Sequence, residues 1–231
     1  MTTEALQPAT AQAAQQGSGE SMRMMRTLGG IALLSGCLLS LVYQGTRERI
    51  ALNFESRVRN AVFALLPGST QQKTFEFTGV DETGKETPFK VYAGYDEAGN
   101  FIGTAMETSD GDGYGGEIRL LFGYLPDKDQ VVGITLLLCK ETPGLGDKIK
   151  TDDGFKSNFT PLDVPLNPDG SALAVPLSFV KSGKGGGPGQ IEGISGATIS
   201  SKAVFRALCR GTDMMLPVIR RRLAELKEGM T

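Results

Sequence analysis

The stretch IRLLFGYLPDKDQVVGITLLLC (residues 118–139) contains two apolar runs on either side of the short polar segment PDKDQ. The apolar runs have the length of strands, and the segment between them has the length and residue types of a hairpin loop. ITLLLC (134–139) is apolar on both faces of an extended chain, which predicts a central strand. The stretch therefore predicts a β-hairpin in the middle of a sheet.

Similar apolar segments precede this hairpin and are separated by turn-forming residues. They are TFEFTGV (74–80), PFKVYAGY (88–95) and FIGTAME (101–107), with the breaks DETGKE, DEAGN and SDGDGYGG between them and the hairpin. Consecutive strands without intervening helices are typical of an antiparallel meander. From Ile199 to about Lys227 apolar residues recur at helical spacing, and Pro217 predicts a kink or split. We predict an α+β fold in which helices pack on one antiparallel sheet, as one domain over residues 69–231.

The N-terminal part of the chain predicts a membrane anchor. Residues 1–26 contain little that could be buried and predict a disordered tail. RTLGGIALLSGCLLSLVYQGTR runs from Arg26 to Arg47 without an intervening charge, which is long enough for one membrane crossing over residues 27–45. A buried core helix is the alternative, although such a helix usually has a polar face. Residues 46–68 predict an amphipathic connecting helix.

Two features of this anchor leave alternatives open. LSGC, ending at Cys37, resembles the sequence before a lipid-modified cysteine, although the apolar run continues past it. Arginines lie on both sides of the span, and more of them follow it than precede it. The distribution of positive charge therefore does not place the domain on one side of the membrane.

Composition excludes several classes of function. The chain has no histidine, three cysteines and a formal net charge of −2. A Ser-His-Asp hydrolase cannot be built without histidine, a conventional zinc site is not expected, and no basic field is available for nucleic acid. Three cysteines are also too few for a four-cysteine iron–sulfur cluster within this chain. Cys139 is interpreted as a small buried residue of its strand.

Three glycine-rich loops remain as candidates for a ligand site. ISGATIS (194–200) places Ser195, Gly196 and Ala197 before a helix, with Thr198 at or near its N-cap. Ordinary capping by a hydroxyl would explain this pattern, and so would a phosphate bound at the helix start. ETPGLG (141–146) predicts a rigid turn, and DGYGG (112–116) offers Tyr114 between glycines. Backbone amides, hydroxyls and a tyrosine suit a flat ring attached to a phosphate better than a metal.

The same loops carry a family resemblance. SGAT (195–198), with Glu192 three positions before it, ETPGLGDKI (141–149) and DGYGGEIRLL (112–121) occur in this order. Together they resemble the FMN-binding G subunit of the Rnf electron-transport complex. The C subunit of the sodium-pumping NADH:quinone oxidoreductase is a more distant resemblance. Glu192 replaces the usual Asp, and Cys139 and Lys140 stand where the family often has histidine.

The resemblance implies a covalent flavin. Thr198 would be esterified to the FMN phosphate by a flavin transferase that uses FAD and magnesium, and Glu141, Thr142, Gly144 and Leu145 would line the flavin. The protein would be a single-pass inner-membrane subunit with an extracytoplasmic FMN domain. It would relay electrons among other membrane and peripheral subunits between ferredoxin and NAD, coupled to sodium or proton movement. A membrane-anchored flavin sensor or assembly module that relays no electrons is the alternative.

Overall fold

The computed structural model describes the backbone of residues 10–229 and the side chains of residues 21–229. The first helix, α1, covers Thr10–Leu65. It includes residues 10–26, which the sequence predicts to be disordered; the Ala, Gln and Met residues in this range favour helix intrinsically. Residues 1–9 of the predicted tail lie outside the described residues. No break in α1 marks the proposed limits at residues 27, 45 and 46, so these stay predictions.

By length and composition, α1 contains a segment that could cross a membrane, between Ser21 and Leu65. The large apolar side chains between Met22 and Leu52 in this segment are exposed, including Leu33 and Leu39, of which 71% and 72% are accessible. A core helix would bury such side chains, so their exposure favours the membrane span over the alternative of a core helix.

The remainder of the chain, from Glu55 onward, forms a compact unit around one large sheet. Its elements in chain order are β1 (Gln71–Val80), β2 (Glu86–Tyr95), β3 (Phe101–Gly113), β4 (Gly116–Leu125), β5 (Gln130–Cys139), α2 (Lys148–Thr151), α3 (Asp153–Ser157), β6 (Leu162–Asp163), β7 (Ser178–Val180), β8 (Gln190–Glu192), α4 (Thr198–Arg221) and α5 (Leu223–Glu228). Strands β1 to β6 are adjacent in chain order and antiparallel, while β7 and β8 form a separate parallel pair. The predicted α+β class and the antiparallel meander are confirmed.

Strand β5 is not the central strand that its composition predicted. It pairs with β4 along its length, but with β6 only at Gln130 and Val131. Its apolar character comes from contacts above and below the sheet instead. Ile134 and Leu136 pack against the main core, and Leu137 is 3% exposed. Burial of both faces does not require a neighbour at both edges.

Helix α4 covers one face of the sheet, and it is placed by contacts with β1, β3 and β4. Its buried side includes Val204, Leu208 and Met215, in agreement with the predicted helical stripe. Pro217 lies inside α4, so the predicted split does not occur at this residue. It ends at Arg221 instead, and α5 begins at Leu223.

Glycines on the other face of the sheet leave room for the end of α1 to pack closely against the strands. One glycine lies on each of four adjacent strands: Gly94, Gly103, Gly123 and Gly133. A Cβ atom on Gly94 would lie 2.9 Å from Leu66 Cδ1, and one on Gly123 would lie 3.1 Å from Leu65 Cβ. The absence of side chains at these positions lets the two leucines lie directly on the sheet. Helix α4 and the end of α1 thus cover the two faces of the sheet. The loops at one end of the sheet, which include the β3–β4 turn, remain accessible.

Candidate functional site

Three loops meet at one pocket of about 370 Å³. They are the β3–β4 hairpin tip, the loop that follows β5, and the turn that leads into α4. The residues that line the pocket are Tyr114, Leu145, Gly146, Gly196, Ala197, Thr198, Ile199 and Ser200. All three candidate loops of the sequence therefore contribute to a single site.

Apolar side chains project around this pocket. Tyr114 is 67% exposed, Leu145 is 54% exposed and Ile199 is 53% exposed. Among the described residues after position 54, only Val80 and Val175 are further large hydrophobic residues with comparable exposure. Exposed apolar groups that converge on a concavity are typical of a ligand site. Their flat and branched shapes suit the two faces of an aromatic ring system.

The Thr198 hydroxyl does not cap helix α4, although the sequence places it at or near the N-cap. Ala197 occupies the N-cap position, and no side chain makes a capping hydrogen bond there. Thr198 is the first helical residue and is exposed. The first N–H groups of a helix have no partner within the helix and form its positive end. The pocket therefore contains a hydroxyl that has no hydrogen-bond partner among the described residues, beside a site that favours an anion.

Ser201 stabilises the turn before α4 instead. Its hydroxyl is completely buried, accepts a hydrogen bond from Ile194 N at 3.1 Å and donates one to Ala197 O at 2.9 Å. Gly196, between these two backbone groups, has φ +83°, a conformation that side-chain-bearing residues adopt only at a cost. These contacts orient Thr198 without involving its hydroxyl.

Glu141 lies where the three loops meet. It is 7% exposed, and its Oε2 accepts a hydrogen bond from Gly115 N at 3.2 Å. A Cβ atom on Gly146 would lie 2.2 Å from Glu141 Oε2 and 2.7 Å from Ser200 Oγ. The other carboxyl oxygen, Oε1, is buried and has no hydrogen-bond partner among the described residues. A Cβ atom on Gly113 would lie 2.8 Å from this oxygen, so Oε1 lies against the hairpin tip.

The loop after β5 presents Leu145 through a tight turn. Thr142 O accepts hydrogen bonds from Leu145 N at 3.2 Å and from Asp147 N at 3.4 Å, while Gly144 has φ +77°. Thr142 and Gly144 are exposed and do not line the pocket. Their observed role is to shape the turn.

The residues predicted from the sequence thus divide into three groups. The structure brings five of them together in the pocket lining: Tyr114, Leu145, Gly196, Ala197 and Thr198. Glu141 lies behind the lining, whereas Ser195, Thr142 and Gly144 lie outside it. Sequence reasoning missed Gly146, Ile199 and Ser200 as lining residues, although the first belongs to the ETPGLG motif and the others directly follow Thr198.

The pocket has the features that FMN would require. Free helical N–H groups and the positive helix end suit a phosphate, and exposed apolar side chains suit the ring. Neither of the two cysteines in this part of the chain lines the pocket, and Cys139 is half-buried in β5. Burial raises the pKa of the Cys209 thiol to about 12. This thiol is therefore uncharged at neutral pH.

Comparison with known proteins points to the same part of the chain. Residues 113–212 match the family model described as FMN-binding domain, a range that begins at the hairpin tip and ends within α4. The chain is 31% identical over 196 residues to the G subunit of the ion-translocating oxidoreductase complex of Methanosarcina acetivorans, covering 85% of this chain and 95% of that protein.

A second relative is the G subunit of the Na(+)-translocating ferredoxin:NAD(+) oxidoreductase complex of Acetobacterium woodii. It is 30% identical over 183 residues and covers 75% of this chain and 81% of that protein. The crystal structure of NqrC from Shewanella oneidensis has a TM-score of 0.48 and 20% identity, covering 70% of this chain and 72% of that chain.

Proposed function

Because the chain belongs to the family of G subunits of ion-translocating oxidoreductase complexes, we propose that it is a membrane-anchored subunit that relays electrons through FMN attached covalently to Thr198. The observation that carries this proposal is the position of the Thr198 hydroxyl. It lies in the pocket, is exposed and makes no capping bond.

Thr198 is the attachment residue because its hydroxyl and the helix start can act on one phosphate. Esterification would join Thr198 Oγ1 to the FMN phosphorus of FAD; the pyrophosphate bond would break, AMP would leave, and the hydroxyl proton would be released to solvent. A magnesium-dependent flavin transferase supplies the catalysis of this step. The N–H groups at the start of α4 would hold the phosphate, and the positive helix end would stabilise its charge.

The remaining pocket residues hold the ring. FMN supplies one- and two-electron redox chemistry when it is bound, and the protein supplies position and environment. Tyr114, Leu145 and Ile199 provide apolar contact area, which excludes water from the ring. Glu141 lies behind the lining and accepts a hydrogen bond from Gly115 N, which supports the hairpin tip that carries Tyr114.

The membrane anchor gives covalent attachment a physical purpose. We place residues after the span on the extracytoplasmic side, where a released flavin would not be replaced from a cytoplasmic pool. A non-covalent site of micromolar affinity is worth about 8 kcal/mol and empties when free ligand is diluted. An ester bond removes this dependence on concentration. The partners of the chain are then the other subunits of an Rnf-type complex, at the membrane and at its periphery.

The full chain produced with and without a flavin transferase tests this function. In the presence of the transferase, flavin fluorescence should remain with the polypeptide in a denaturing gel, and peptide mapping should place FMN on Thr198. A redox titration of the purified chain should show reversible reduction of this flavin. Loss of flavin on denaturation would overturn the covalent attachment. A bound flavin that neither accepts nor donates electrons would favour the sensor or assembly module.

A further inference from the structure

A buried carboxylate lies outside the pocket but is connected to it. Asp110 is 1% exposed, and it is the last regularly paired residue of β3 before the register shift at the hairpin tip. Arg206 donates to both of its oxygens, from Nε at 3.0 Å and from Nη2 at 2.7 Å. Arg210 donates to Oδ2 of the same carboxylate. A carboxylate that is buried to this degree requires such paired donors.

The same group of side chains also holds the backbone of the tip. Asp112 N donates to Asp110 Oδ1 at 3.0 Å, and Arg206 Nη2 donates to Asp112 O at 3.3 Å. The amide and the carbonyl of Asp112 are therefore both held, one by the aspartate and one by the arginine. Arg210 instead donates to Ser109 O at 3.0 Å, on the strand before the tip.

The tip needs such restraint because its own residues supply little. Its residues 111, 113, 115 and 116 are glycines, and Tyr114 at its apex is 67% exposed. Glycine loses more conformational freedom on ordering than other residues do. Arg206 follows Thr198 by eight residues, about 12 Å along the same helix. The contacts of Arg206 therefore connect the segment that carries Tyr114 to the helix that begins at Thr198.

We propose that Asp110 and Arg206 are positioning residues of the flavin site, which hold Tyr114 against the ring of a flavin attached at Thr198 by fixing the Asp112 peptide. This inference rests on the proposed function, since the ring contact requires a bound flavin. The restraint of the tip is a property of the polypeptide alone. The two parts can therefore be measured separately.

Arg206→Gln and Arg210→Gln form a matched pair for the test. Each change removes one guanidinium from Asp110, and the two side chains are similarly exposed, at 37% and 42%. Only Arg206 also contacts the Asp112 carbonyl. Asp110→Asn is the complementary variant, but it leaves both guanidinium groups without their carboxylate and can impair folding, so the arginine pair decides the result.

Hydrogen exchange on the unlabelled full chain measures the restraint. Arg206→Gln should increase the exchange rate of residues 111–116 roughly tenfold or more, because charge-assisted hydrogen bonds to the tip are lost. Arg210→Gln should leave the exchange of this segment near that of the wild type. Equal exchange of the tip in the two variants would overturn the proposal, whether or not the protein carries flavin.

The fluorescence lifetime of the attached flavin measures the contact, since a tyrosine ring in contact with a flavin quenches its emission. Tyr114→Phe should lengthen the lifetime and thereby define the unquenched value. Arg206→Gln should shift the lifetime towards this value, and Arg210→Gln should not. An unchanged lifetime in Tyr114→Phe, or in Arg206→Gln, would overturn the positioning role. A wild-type chain without flavin would refute the proposed function, and the exchange experiment would still decide the restraint.

Discussion

Thr198 and Ser201 lie one helical turn apart, and the structure predicts opposite consequences for their substitution by alanine. Thr198 is exposed and makes no capping bond, so its removal should change the free energy of unfolding by no more than about 0.5 kcal/mol. Ser201 is fully buried and bonds to Ile194 N and Ala197 O. Leaving a buried partner unsatisfied costs about 1–3 kcal/mol.

These energies correspond to measurable changes in melting temperature. In a domain of this size, 1 kcal/mol shifts the melting temperature by about 2–4 °C. Ser201→Ala should therefore lower it by roughly 2–12 °C, whereas Thr198→Ala should stay within about 2 °C of the wild type. Covalent flavin should follow the reverse order. Thr198→Ala should carry none, and Ser201→Ala should remain labelled where it is folded.

Stability and labelling should be measured on separate preparations. Melting is followed on the full chain from a host without the transferase, because a bound flavin would itself change the stability. Labelling is measured as in-gel fluorescence per mass of protein after production with the transferase. Thr198→Ser retains the hydroxyl but lacks the methyl group that restricts its rotamer, so partial labelling is expected.

Two results would refute this reasoning. If Thr198→Ala destabilised the chain as much as Ser201→Ala, the Thr198 hydroxyl would have a structural role that the geometry does not assign to it. If Thr198→Ala retained denaturation-resistant flavin, attachment would occur at another hydroxyl. Ser195 is the nearest exposed candidate in sequence, and Ser195→Ala is therefore the control that should remain labelled.

Four further outcomes are expected. Leu145→Asp should shift the absorption spectrum and the reduction potential of the attached flavin without loss of the ester, because a charge would replace an exposed apolar side chain at the ring. An unchanged spectrum would show that Leu145 does not contact the flavin. Gly146→Ala should lower the melting temperature, since its Cβ would lie 2.2 Å from Glu141 Oε2. Gly111→Ala should leave the melting temperature unchanged, because nothing lies within 4 Å of its Cβ. Similar melting of both variants would contradict this packing. Burial raises the pKa of Asp110, but the hydrogen bond from Arg206 and the charges of both arginines outweigh it and lower the pKa below 3.8. The stability difference between the wild type and Asp110→Asn should therefore be constant above about pH 5 and shrink as the pH falls further, as followed by thermal melting. A difference that disappears near neutral pH would exclude this origin. A reporter fused to the C-terminus of the full chain should be active only if it is an extracytoplasmic enzyme, and activity of a cytoplasmic-only reporter would reverse the assigned orientation.

The sequence alone determined the features that depend on local chemistry. Alternating apolar runs separated by turn residues predicted the antiparallel meander, because neighbouring strands in a meander are also neighbours in the chain. The uncharged run from Arg26 to Arg47 predicted the membrane helix, because a single helix forms all of its backbone hydrogen bonds within one local segment. The loops at Tyr114, at Leu145 and before Thr198 were also recognisable from their own glycines.

Only the tertiary structure decided how these segments combine. A pattern of apolar residues reports burial, but it does not say whether a neighbouring strand or a helix provides the cover, and the role of β5 was therefore misjudged. The sequence also did not decide which residue caps α4. The position of Ala197 at the N-cap and the hydrogen bond of Ser201 to the turn depend on the path of the backbone. The pairing of Asp110 with Arg206 joins residues far apart in the chain. Such contacts arise when α4 packs across the sheet, and no local periodicity encodes them.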